Sequence, residues 1–316
     1  MPSHLSWRDA LLAVAIVFVW GTNFVVIRMG LNALPPLFFA TLRFTFVFVP
    51  AALFLPRPRS VGEVRSGSVR TSDIKYVAWS NLAIYGVCIG LFQFGMLFIA
   101  MNGHIPPGLA SLVVQMQVFF TIALAMWRTG EKIKPHQIGA FALALAGMGV
   151  IAAHNGHGVT LLGLGLVLVA AMGWALGNQA SREAGKVNML SYVVWAALFS
   201  VPPLLILSLL LEGPRAIAAG VEHAGWVTWS AVLWQSVGNT MFGYACWAWL
   251  LSRYPAATIA PMSLLVPIFG FGASAAILGE PLPLWKIAAT LLIMAGLAVN
   301  LLWQRRVPKV YVAGEP

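Results

Sequence analysis

The sequence predicts an all-α integral membrane protein: ten transmembrane helices arranged as two inverted five-helix repeats. Three observations predict it. Hydrophobic residues make up 60% of the 316, and charged residues only 9%; a soluble domain is about half apolar and about a quarter charged. The apolar residues fall into ten runs, each close to the ~20 residues that a bilayer core requires of a helix. Signposts in the first five runs recur in the last five. The mean hydropathy of +0.85 excludes a soluble globular chain and a disordered one. Because the apolar excess runs the whole length, a soluble body on a single anchor is excluded as well.

Taken in order, the runs lie near 10–29, 36–55, 75–100, 107–127, 136–153, 161–180, 190–211, 226–251, 256–278 and 284–303. Helix-ending residues separate them: Pro35-Pro36, Pro106-Pro107, Glu131-Lys132 with Pro135, Gly156 to Gly158, Gly213-Pro214, Pro255, and Gly279-Glu280-Pro281. The first run has no small-residue cleavage pattern behind it and reads as a retained helix. Gly86-x-x-x-Gly90 and Gly173-x-x-x-Gly177 invite close helix approach. Pro202-Pro203, Pro261 and Pro267 fall inside runs and are expected to kink them.

Loop charges set the orientation. With the N-terminus inside, fifteen of the 19 Lys and Arg residues fall on inner segments: Arg8, Arg57, Arg59, Arg65, Arg70, Lys75, Arg128, Lys132, Lys134, Arg182, Lys186, Arg253, Arg305, Arg306 and Lys309. Arg28, Arg215 and Lys286 fall outside, and Arg43 lies within a run. The net charge of +10 therefore reads as basic inner loops rather than as a nucleic-acid surface. Both termini are expected on the inner side, which requires an even number of spans.

The repeat is read from paired residues. Trp20 matches Trp174, Pro106 matches Pro255, Gly130-Glu131 matches Gly279-Glu280, Ile138 matches Ile287, and Gly147 matches Gly296. The halves are 1–155 and 156–303, followed by a cytoplasmic tail, 304–316. With five spans per half, the second copy enters from the opposite side. Two exchangeable halves are what alternating access requires.

The spans hold few charges. Every Asp, Glu and His falls in a loop or at a span end. Buried acids or histidines mark ion-coupling paths, so a carboxylate-based coupling site is not expected, and the lean is toward facilitated diffusion with proton coupling left open. No His/Cys/Asp/Glu cluster has metal-ligand spacing, and no cofactor is expected. Cys88 and Cys246 sit in apolar runs without a disulfide or metal motif. An intramembrane enzyme would need deep acids, histidines or a nucleophile pair, and the sequence has none. A passive channel differs from a carrier in rate and in lacking counterflow.

Arg43 is the one deep charge, roughly 10 Å down its helix from Pro36 at 1.5 Å per residue. Two readings stand: a counter-ion for a substrate carboxylate, or an arginine that snorkels outward. The polar candidates for a cavity wall are Asn23, on one helix face with Trp20 and Ile27, then Gln93, Gln115, Gln117, Asn178, Asn239, Tyr244 and Ser263, with Gln235 four residues before Asn239. Each is alternatively interhelical glue. Together they would form a neutral polar cavity able to hold an ammonium and a carboxylate. Trp20, Trp174 and Trp195 lie deep as gate or cavity candidates, while Trp7, Trp226, Trp229, Trp285 and Trp303 lie at span ends as an interface belt.

Several stretches carry a family resemblance. They are Val19-Trp20-Gly21-Thr22-Asn23-Phe24-Val25-Val26-Ile27, Pro35-Pro36-Leu37 with Leu42-Arg43-Phe44, Gly108-Leu109-Ala110-Ser111-Leu112-Val113, Gln115-Met116-Gln117-Val118-Phe119-Phe120-Thr121-Ile122, Gly177-Asn178, and Ala260-Pro261-Met262-Ser263-Leu264-Leu265-Val266-Pro267. With the ten runs and a Gly-Glu pair before the last helix of each half, the chain resembles the EamA-type exporters of the drug/metabolite transporter superfamily. Within them it is most similar to the bacterial branch that exports O-acetylserine and cysteine. The resemblance spans nearly the whole chain apart from the 57–72 loop and the tail after 303.

The resemblance implies a bacterial inner-membrane exporter of small neutral amino acids or related metabolites (cysteine, O-acetylserine, threonine or methionine). The expected binding set is Trp20, Asn23, Arg43, Gln93, Gln115, Gln117, Trp174, Asn178, Asn239, Tyr244 and Ser263, with Trp20 and Asn23 toward the outer half and Trp174 and Asn178 toward the inner. The implied partners are a small-molecule substrate and the lipid bilayer, with no nucleic acid. A monomer would suffice to close a cavity, and the oligomeric state is left open. The alternative in the same fold is export of aromatic amino acids or bulky drug-like metabolites.

Overall fold

The computed structural model describes residues 5–61, 74–130, 133–154, 156, 158–254 and 256–303. Glu131, Lys132, His157, Pro255, Arg65, Arg70 and the tail with Arg305, Arg306 and Lys309 lie outside them. The regular structure of the described residues is helical except for three short strands.

Helix follows the apolar runs closely. We label α1 Trp7–Gly30, α2 Pro36–Ala52, α3 Trp79–Met101, α4 Pro107–Arg128, α5 Pro135–Ala153, α6 Leu161–Glu183 and α7 Met189–Glu212. Then come α8 Pro214–His223, α9 over 226–253, α10 Pro261–Leu278 and α11 Leu284–Trp303. Among the described residues, eight helices are long and apolar enough to cross a membrane; α2, with 17 residues, is shorter. Helix α8 occupies a segment that the sequence reading left as loop.

Local chemistry sets the ends. Ser6, Thr160 and Asn188 each accept a hydrogen bond from the third backbone N–H of the helix they start. Gly130 and Gly279 end α4 and α10 in the left-handed region, at φ 69° and 65°, where a residue without Cβ carries no steric penalty.

Five helices are distorted. Cys88–Gly95 in α3, Ser208–Glu212 in α7 and Trp234–Phe242 in α9 are π-helical. Val114–Met116 in α4 and Ala260–Leu264 at the start of α10 are 3-10 turns. Pro202 and Pro203 precede the π segment of α7, and Pro261 lies in the 3-10 turn of α10. A proline removes one i→i−4 bond and forces the ladder to re-register. The π segments of α3 and α9 contain no proline.

α5 packs along α11, α1 along α10, α2 along α7, and α6 along α3. Glycines set the closest approaches. Gly86 and Gly90 meet Ala196 and Ser200 of α7, and Gly173 and Gly177 meet the Cys88–Phe92 stretch of α3. Gly147 meets Ala289 while Gly296 meets Ala140, a reciprocal contact between α5 and α11.

Polar ties gather helix ends into two groups. At one end of the bundle, Arg59–Val61 pairs antiparallel with both Ile74–Tyr76 and Lys186–Val187. There Arg128 pairs with Glu183, and the Tyr254 hydroxyl donates to Asp9 at 2.5 Å. At the other end, Glu212 meets the start of α2, Glu280 meets the start of α4, and Thr160 N–H donates to the His104 carbonyl at 2.9 Å. Each tie joins ends that the charge reading assigns to one side.

Candidate functional site

Helical spacing puts Trp20, Asn23, Phe24 and Ile27 on one face of α1. That face forms one wall of an internal cavity of about 80 Å³. Gln93, Phe94 and Leu97 of α3, Val114 of α4, Trp174 of α6, Asn239 and Tyr244 of α9, and Val266 of α10 complete it. Three of these residues lie on π segments: Gln93, Phe94 and Asn239. A π turn inserts one residue into the helix, swinging the following side chains round and leaving carbonyls under-bonded.

Of the expected set, Trp20, Asn23, Gln93, Trp174, Asn239 and Tyr244 are brought together on this wall. Trp20 Nε1 donates to the Asn239 carbonyl at 3.3 Å, and the Trp20 ring lies 6.1 Å from that of Tyr244. Gln115, Gln117, Asn178 and Ser263 are not among the lining residues. Asn178 instead donates to Gln117 Oε1 at 3.3 Å, tying α6 to α4, while Gln115 is buried in the 3-10 turn of α4. Trp195 lies away from the cavity and donates to the Leu55 carbonyl at 3.0 Å.

Arg43 is fully buried, so its head does not snorkel to a surface. One of its terminal nitrogens donates to Gln235 Oε1 and the other to Thr240 Oγ1 at 2.9 Å. Gln235 Nε2 passes the network on to Asn23 Oδ1 at 2.7 Å. The guanidinium carbon sits 3.6 Å from the centre of the Phe94 ring, a cation–π contact. Among the described residues no carboxylate lies within ion-pairing distance of Arg43. The cation thus stands behind Phe94, one side chain removed from the cavity.

The sequence reading did not single out Phe94 or Thr240, and it mentioned Gln235 only for its spacing. Their role comes from contacts with Arg43, 192 residues away in the case of Gln235, and no local signal carries such a pairing. Among the described residues no group of three or more His, Cys, Asp or Glu is placed to hold a metal ion. The arrangement offers aromatic faces, neutral amides and one nearby buried positive charge, which suits binding of a small polar molecule.

Comparison with known proteins agrees. The family model described as EamA-like transporter family matches residues 7–153 and again residues 161–302. A "Probable amino-acid metabolite efflux pump" of Salmonella typhimurium is 39% identical over 302 residues, covering 94% of this chain and 95% of that protein. A protein of the same description from Escherichia coli K12 is 36% identical, over 96% and 99%. A "Probable terminal-alkyne amino-acid exporter" of Streptantibioticus cattleyicolor is 24% identical, over 91% of each. One solved crystal structure superposes with a TM-score of 0.59 at 19% identity, over 95% of this chain and 99% of that one; it bears on the fold alone. The chain belongs to the EamA-like transporter family.

Proposed function

We propose that this transporter exports small neutral amino acids or related metabolites, of the cysteine, O-acetylserine, threonine or methionine class, across the bacterial inner membrane by alternating access. The observation that carries the reading is the cavity walled by Trp20, Asn23, Gln93, Trp174, Asn239 and Tyr244. Its amides and aromatic faces match a small molecule with a polar end and a short apolar one. The descriptions of the two relatives at 39% and 36% identity support the amino-acid class.

The ten-span inverted repeat is part of the proposal. Several features support it. The family model matches twice. The π segments of α3 and α9, and the 3-10 turns of α4 and α10, recur at corresponding places in the two halves. Contacts also come in mates: α3 with α6 answers α9 with α1, and α3 with α7 answers α9 with α2. Discontinuous helices meeting at a repeat interface are where transporters of this kind place their sites. In the proposed orientation both termini are cytoplasmic.

Export of aromatic or bulky metabolites is a second reading, favoured by the Trp20, Phe24, Phe94, Trp174 and Tyr244 walls. Radiolabelled counterflow in proteoliposomes decides, with cysteine, serine, threonine, methionine and tryptophan as the panel. Trans-accelerated uptake of the small members above empty liposomes is expected. Acceleration by tryptophan alone would select the second reading, and none by any member would refute amino-acid export.

A further inference from the structure

We propose that the cavity has a carboxylate pole: Gln93 and Asn239 contact the acid group of the transported molecule, and Arg43 attracts it from behind Phe94 without touching it. The inference rests on the export reading above and names what the site selects for.

Two independent observations lead here. First, Gln93 and Asn239 both line the cavity, and both amide oxygens, Gln93 Oε1 and Asn239 Oδ1, are buried without a hydrogen-bond partner among the described residues. More than about nine in ten buried polar groups in folded proteins are satisfied. Because no partner among the described residues holds either amide oxygen, each amide can rotate to present its NH2 group, a donor only, to the entering molecule. Second, Arg43 carries a full charge at 0% exposure, with neutral partners in Gln235 and Thr240 and no carboxylate in reach among the described residues. A buried charge without a counter-charge is unfavourable, and an anion entering the cavity would relieve it. The two features adjoin: Gln93 precedes Phe94, on which the guanidinium stacks, and Asn239 precedes Thr240, to which it is hydrogen-bonded. Donors backed by a cation suit a carboxylate and oppose an ammonium, so the amine of a zwitterion would turn away from Gln93 and Asn239.

Competition by unlabelled compounds against labelled L-methionine counterflow tests this in the intact chain. The competitors are L-methionine, its α-hydroxy acid analogue, which keeps the carboxylate and lacks the amine, and methionine amide, which keeps the amine and lacks the carboxylate. The hydroxy acid is expected to compete within about tenfold of methionine, and the amide at least thirtyfold more weakly. A unit charge about 8 Å away at an effective dielectric near 20 is worth about thirtyfold. R43Q is expected to shrink the acid-over-amide preference tenfold or more, whereas Q93L and N239L should weaken the acid without changing which compound binds through its amine. Equal or better competition by the amide in the unaltered protein overturns the pole, and that arm needs no variant to fold. If nothing in the panel is transported, the export reading fails. The pole is then read from thermal stabilisation of the purified protein by the same three compounds, where equal stabilisation by acid and amide overturns it.

Discussion

The Glu212 carboxylate, at the end of α7, accepts the backbone N–H of Leu37 at 2.6 Å, in the first turn of α2. It also accepts the N–H of Phe38 at 3.0 Å and the Ser208 hydroxyl at 2.6 Å. α2 opens on Pro35-Pro36 and has no side-chain cap of its own. Its free N–H groups are therefore satisfied by a carboxylate 175 residues away, on the positive end of the helix dipole. Glu280 repeats the arrangement at α4, which opens on Pro106-Pro107: it accepts from Gly108 N–H at 3.1 Å, from Lys286 Nζ at 2.8 Å and from the Ser274 hydroxyl.

Neutralising these caps is expected to loosen the bundle. Glu212→Gln should lower stability by about 1–2 kcal/mol, the range of a lost cap and charge–dipole term. Glu280→Gln should cost about 3–5 kcal/mol, because Lys286 is only 3% exposed and would keep a buried charge without its partner. Thermal melting in detergent gives the order. Equal losses would mean that the Lys286 pair adds nothing to the cap.

Gln235 joins Arg43 to Asn23. Gln235→Leu removes both links and leaves Arg43 with Thr240 as its remaining side-chain hydrogen-bond partner among the described residues. The expected loss is about 3–5 kcal/mol, against about 1.5–3 kcal/mol for Thr240→Val, which removes the bond from the guanidinium and the hydroxyl's own bond to the Gln235 carbonyl. A melting temperature for Gln235→Leu no lower than that for Thr240→Val would show that the network does not hold Arg43 as described.

Gly173 lies where α6 crosses the π segment of α3. A Cβ there would meet Phe92 Cβ at 2.7 Å, the Cys88 carbonyl at 2.8 Å and Gln93 N at 2.9 Å. Gly173→Ala is expected to cost about 1–3 kcal/mol through overpacking and to lower transport by displacing Gln93. Gly149→Ala, with nothing within 4 Å, should be neutral or stabilising by up to about 1 kcal/mol. Similar melting curves for the two variants would contradict the close approach.

The helices were legible because apolar runs and Pro or Gly punctuation are local: Pro36, Pro107, Pro135 and Pro214 each open a helix. Short-range order also placed Trp20 and Asn23 on one cavity face. What local order could not separate was amide from amide. Gln93 lines the cavity while Gln117 bonds Asn178, and which way each faces depends on how its helix is wound there. The π segments of α3 and α9 set that winding without a proline to announce them. The strand pairing of Arg59–Val61 with Lys186–Val187 was unreadable for the same reason, since its partners lie far apart in the chain.

The two groups of helix ends make the proposed topology testable. Lys186 adjoins the sheet that gathers one end of the bundle, and Arg253 precedes Tyr254, which is tied to Asp9 at the start of α1. Asn102 and Arg215 lie at the opposite end, beside the His104–Thr160 tie and after the Glu212 cap. With Cys88 and Cys246, both free, replaced by serine or alanine, single cysteines at these four positions report sidedness. The charge asymmetry predicts labelling of Asn102→Cys and Arg215→Cys by an impermeant maleimide on intact cells with the outer membrane opened. Lys186→Cys and Arg253→Cys should react only after the inner membrane is permeabilised. Complete reversal would keep the span arrangement and overturn the orientation. Labelling of Asn102→Cys and Arg215→Cys from different sides would mean an odd number of crossings between α3 and α8, which the five-plus-five inverted arrangement does not allow.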